Sequence, residues 1–67
     1  MFYEIHLETK SNNKYTHKFY EREEAVEVFI AIGGCEDVAV VNLIDGSTGE
    51  IYGIIKDQNL TYWYLGD

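Results

Sequence analysis

The 67-residue sequence predicts an α+β fold: a single antiparallel sheet of about five strands, order 2-1-3-4-5 (ββαβββ), with one helix packed on one face. Three observations carry this. One stretch, Tyr20 to Gly34, repeats its apolar residues at the helical period. The segments before and after it alternate or run apolar over strand lengths. Clusters of Asn, Asp, Ser and Gly separate those segments at short intervals.

The helix comes first because the strands are arranged around it. Ala25, Val28, Phe29 and Ile32 recur at three- and four-residue steps, with Val26 and Ile30 widening the stripe, while Glu23, Glu24 and Glu27 fall on the opposite side. Glu21, Glu23 and Glu24 crowd the first turn, where unpaired N–H groups favour carboxylates, and Gly33-Gly34 offers a residue able to take positive φ at the end. A helix of about 13 residues is marginal alone in water, so its stripe must be buried against a sheet.

Phe2 to Thr9 places Tyr3, Ile5, Leu7 and Thr9 on one face and Glu4, His6 and Glu8 on the other. After the turn cluster Ser11-Asn12-Asn13, Lys14 to Phe19 alternates again. Setting Glu8 opposite Lys14 and Glu4 opposite Lys18 also stacks Tyr3 on Phe19 and Leu7 on Tyr15, and opposite charges across a strand pair favour that register. Asp37 to Ile44 is apolar on both faces, as an interior strand covered on both sides would be. Asp45 to Gly49 is a turn by composition, Glu50 to Lys56 a fourth strand, Asp57 to Asn59 a turn and Leu60 to Leu65 the last strand. A right-handed crossover through the helix brings the third strand beside the first, which gives the 2-1-3-4-5 order.

One helix cannot cover five strands, so part of the second sheet face is expected to stay open. In the last hairpin the pairs are Ile54 with Tyr62, Tyr52 with Tyr64, Gly53 with Trp63 and Ile51 with Leu65. With Trp63 laid over the bare Gly53 in the core, Tyr52, Ile54, Tyr62 and Tyr64 share the open face. Tyrosines at that density outside a core are typical of contact surfaces.

The whole chain, residues 1–67, reads as one domain, since a chain this short buries only about 60% of its unfolded surface. The apolar fraction of 46% and the ten aromatics argue for a folded state. Its net charge of −7 is uneven: residues 1–20 carry +1, and residues 21–67 carry ten acids against Arg22 and Lys56, for −8. Such a balance disfavours direct contact with nucleic-acid phosphates or anionic membranes. Met1 leads straight into a strand pattern without a signal-peptide pattern, and no apolar run approaches the roughly 20 residues of a membrane span, so a soluble cytoplasmic protein is expected.

No catalytic, metal or cofactor site emerges. Cys35, the only cysteine, follows a helix C-terminus beside Glu36 and Asp37, all of which oppose a thiolate, and a buried or half-buried thiol is expected. His6 and His17 alternate onto opposite faces and cannot converge on a metal, and His17 on the apolar face is expected to be packed. The run from Asp45 to Glu50 resembles a calcium loop only superficially: glutamate stands where the sixth-position glycine belongs and Lys56 where the final glutamate belongs. Gly33-Gly34 opens into a strand and lacks a following Lys-Ser/Thr, so it reads as a C-cap and not a phosphate loop.

What remains is an acidic surface and an aromatic one. Glu23, Glu24 and Glu27, with Glu36 and Asp37, form a row of carboxylates suited to a basic, nucleic-acid-binding surface on a partner protein. In size, charge and α+β content the chain is similar to the small acidic inhibitors of phages and mobile elements that mimic DNA. The expected function is a non-enzymatic protein-interaction module, an antagonist of that kind, binding through the acidic helix, through Tyr52, Tyr62 and Tyr64, or both. The alternative is a structural homodimer closing its open sheet face on itself.

Overall fold

The computed structural model describes residues 1–64, as five strands and one helix. The elements are β1 (Tyr3–Thr9), β2 (Lys14–Phe19), α1 (Arg22–Gly33), β3 (Val38–Asp45), β4 (Ile51–Lys56) and β5 (Asn59–Trp63). They form one antiparallel sheet in the order β2-β1-β3-β4-β5, with α1 packed mainly on β3 and β1. This is the expected ββαβββ arrangement.

The first hairpin takes the register that pairs Glu8 with Lys14 and Glu4 with Lys18. The charges themselves are used differently. His6 Nε2 lies 2.8 Å from Glu4 Oε1, and the Lys18 ammonium stands 4.2 Å from the Phe2 ring centre and 5.5 Å from that of Tyr20. An ammonium set over aromatic faces is attracted by the negative face of the ring.

The core is built from Tyr3 and Ile5 of β1, Val38, Val41 and Leu43 of β3, Ile55 of β4, and Ala25 and Phe29 of α1. Two small residues let the helix come close: Ala25 is fully buried, and a Cβ added at Gly33 would stand 2.3 Å from Ile55 Cδ1. Gly33 is thus needed for close approach. The expected positive φ at the helix end is absent, since the C-cap Gly34 has φ −83° and donates its N–H to carbonyls of the last turn.

The helix stripe is narrower than its sequence implies. Ala25 and Phe29 are buried, Val26, Val28 and Ile32 pack at its margin, and Ile30 is 58% exposed. The strand β3 is covered on only one side: Val38, Val41, Leu43 and Asp45 are buried, while Ala39, Val40, Asn42 and Ile44 are half-buried between neighbouring strands. His17 is exposed as well, correcting the packed position expected for it, because α1 barely reaches β2.

Three bulges interrupt the ladder, placing Ala39, Tyr52 and Thr61 as extra residues. The β4–β5 turn is tighter than expected, with only Asp57 and Gln58 between the paired Lys56 and Asn59, both at positive φ (50° and 66°). The bulge at Thr61 then restores the expected pairs Ile54–Tyr62 and Gly53–Trp63. The expected partner of Ile51, Leu65, lies outside the described residues.

Candidate interaction surfaces

The acidic residues singled out in the sequence are all exposed, but they occupy two places. Glu23, Glu24 and Glu27 lie on the first two turns of α1, and the structure gives none of them a basic partner within 4 Å. Glu36 and Asp37 lie past the other end of the helix, where the Asp37 carbonyl accepts the Lys10 N–H and both residues border a depression shared with Lys10 and Ser11. A 12-residue helix spans about 18 Å, so the two groups do not form one unbroken row.

The three tyrosines also separate. Tyr62 and Tyr64 are 43% and 61% exposed, and Tyr62 shares the outer sheet face with Ile54 and Ile51 around a shallow depression. Tyr52 is a correction. As the extra residue of the β4 bulge it turns to the helix side, its ring 6.1 Å from that of the buried Tyr3 and its side chain packed on the core.

There the Tyr52 hydroxyl donates to Asp45 Oδ2 at 2.8 Å, while Asp45 Oδ1 accepts the Ser47 and Thr48 N–H groups at 2.7 and 3.3 Å. The Tyr52 bond, the Ser47 bond and weaker Thr48 bonds hold the Asp45 carboxyl below its ordinary range despite burial. The same carboxylate, with burial, pushes the Tyr52 phenol up to about 12. By accepting these three hydrogen bonds the Asp45 carboxylate latches the β3–β4 turn. Among the described residues no three His, Cys, Asp or Glu side chains gather as metal ligands, and Cys35 is exposed, correcting the buried thiol expected there.

Trp63 takes the expected side of the sheet. Its indole stacks on Phe29 at 5.9 Å across Gly53, where a Cβ would stand 2.9 Å from Trp63 Cε3 and 3.0 Å from Phe29 Cζ. It is nevertheless 38% exposed. Beside it runs a trench of about 410 Å³ between α1 and β5, walled by Phe29, Ile30 and Gly33 on one side and Ile55, Leu60 and Trp63 on the other. Gln58 Nε2 donates to the Gly34 carbonyl at 2.9 Å, tying the β4–β5 turn to the helix end and closing the trench there.

The trench was missed from sequence, although its cause is simple. A helix about 10 Å wide covers some two strands at about 4.8 Å spacing, and this one must cross β1 on its way from β2 to β3. Strand β5 lies two places beyond β3 and stays uncovered on the helix side. The open apolar surface is therefore divided between the two faces.

Compared with known proteins, the chain has no match among family models, curated proteins or solved structures. Among the described residues no helix is long and apolar enough to cross a membrane.

Proposed function

We propose that the protein is a non-enzymatic interaction module of the cytoplasm, and that it antagonises a partner by occupying a basic surface. The observation that carries this reading is the set of exposed, unneutralised carboxylates Glu23, Glu24 and Glu27 on one helix, in a chain of net charge −7. Such a helix presents negative charge to a surface built for phosphates, and long-range attraction speeds the encounter. Glu36 and Asp37 form a second acidic point beyond the helix, Tyr62 adds aromatic contact area on the other sheet face, and Tyr64 is exposed just past β5.

The test is a capture experiment from the source cell with two baits, the wild-type chain and the Glu23→Gln/Glu24→Gln/Glu27→Gln variant. The reading expects a partner with a basic, nucleic-acid-binding surface that is retained by the first bait and lost from the second. Equal capture by both removes the acidic helix from the interface.

A second reading, a homodimer, is favoured by one observation: Ile51 and Tyr62 are 39% and 43% exposed beside Ile54 on a sheet face that no element of the described residues covers. Sedimentation over a concentration series tests it, with a dimer broken by Tyr62→Ser as the supporting result and a monomer at high micromolar concentration as the refuting one. The charge of −7 on each copy works against it.

A further inference from the structure

The trench between α1 and β5 has the composition of a recognition groove, and no side chain of the described residues fills it. Ile30 and Leu60, on opposite walls, are each 58% exposed, and Trp63 lies in the wall at 38%. At about 410 Å³ the space falls within the range of roughly 300–1,000 Å³ seen for ligand clefts. Large branched and aromatic side chains concentrated in one trench are what anchor residues of a partner fill.

The rim identifies the chemistry of the occupant. Glu23, Glu27 and Ile30 follow one another at steps of four and three residues and so lie along one line of the helix surface. The apolar wall at Ile30 therefore continues directly into two exposed carboxylates. A segment seated against Ile30, Leu60 and Trp63 would meet that negative rim on the helix side. A second copy of this chain is a poor occupant, since it would bring another rim of the same sign and another net charge of −7.

We propose that this trench docks a short basic segment of a partner protein, one that lodges an apolar or aromatic side chain against Trp63 and sets neighbouring Lys or Arg residues on Glu23 and Glu27. It deepens the interaction-module reading and rests on it. The docking mode combines a desolvated apolar anchor, which supplies the slow off-rate, with rim charges, which supply selectivity and on-rate.

Trp63 is the only tryptophan, so its emission reports on the trench without a label. The probes are short peptides with one Leu-Phe core flanked by Lys, by Ser or by Glu. The Lys-flanked peptide is expected to move Trp63 emission saturably to shorter wavelength, the Ser-flanked one to bind about tenfold more weakly, and the Glu-flanked one not at all. Added salt should close the gap between Lys and Ser. Ile30→Lys and Leu60→Lys, checked for native circular dichroism, should each weaken the Lys-flanked peptide at least about tenfold. Glu23→Gln/Glu27→Gln should erase the preference for Lys while retaining the Ser-flanked peptide.

An emission spectrum unmoved by millimolar Lys-flanked peptide overturns the proposal, and so does a shift that survives both Lys substitutions. A shift that grows with protein concentration alone gives the trench to a second copy and overturns it too. If the peptides fail but the captured cellular partner is still lost on changing Glu23, Glu24 and Glu27 to Gln, the groove is wrong and the acidic-helix reading stands. If the partner ignores that change as well, both fall.

Discussion

Two adjacent glycines end the helix and have opposite jobs. A methyl group on Gly33 would run into Ile55, at 2.3 Å from Cδ1 and 2.8 Å from Cγ2, whereas one on Gly34 would find nothing nearer than 3.7 Å. Overpacking costs about 1–3 kcal/mol, against a gain of at most about 1 kcal/mol for replacing glycine by alanine in a helix. In urea unfolding, Gly33→Ala should therefore lose on the order of 1 kcal/mol, while Gly34→Ala, at φ −83°, should gain a few tenths or more. Tyr52 and Asp45 make a second prediction. The lowered carboxyl of Asp45 adds stability that is present above its ordinary pKa of 3.8 and is lost as pH falls through its lower native value. The raised phenol of Tyr52 adds stability present below its ordinary 10.0 and lost as pH rises through about 12. In Tyr52→Phe the acid unfolding midpoint should move to higher pH, and the late-titrating phenol of Tyr52 should vanish from the phenolate absorbance. Neither role was legible in the sequence, because a bulge turns Tyr52 inward and strict alternation had placed it outside.

At the scale of elements, periodicity sufficed for every strand, for the helix and for the strand order, since each is set by a local pattern and a short connection. The exact register of β1 on β2 was also legible, because one pairing of Glu4, Glu8, Lys14 and Lys18 satisfies both charge and packing. The bulges at Ala39, Tyr52 and Thr61 were not, as no residue there departs in type from an ordinary strand. The helix stripe was read too broadly for a geometric reason: six apolar positions wrap more of the helix than a sheet can touch. That difference is measurable. Ile30→Lys and Leu60→Lys, at exposed trench walls, should change stability by no more than about 0.5 kcal/mol. Phe29→Ala, fully buried, should cost about 3–5 kcal/mol. A chain of this size holds roughly 3–10 kcal/mol in total, so the Phe29 variant should lose about a third or more of it, read as a large drop in the urea unfolding midpoint.

The whole molecule is a five-stranded sheet with cover for little more than two strands, and its negative charge is carried by residues 21–67, the helix and all that follows it. The sequence already implied an incomplete cover and a lopsided charge; it did not place the apolar remainder beside the helix, within reach of Glu23 and Glu27. That proximity joins the two surface features into one binding account. Carboxylates exposed on a helix are screened by salt over about 10 Å at 0.1 M, so an interface that depends on them must weaken as salt is added. The decisive measurement is the affinity of the captured partner across a salt series, for the wild-type chain and for Glu23→Gln/Glu24→Gln/Glu27→Gln. The expected result is weaker binding by the variant at low salt and a flatter dependence on salt concentration. Identical affinities and identical slopes for the two chains would contradict the account.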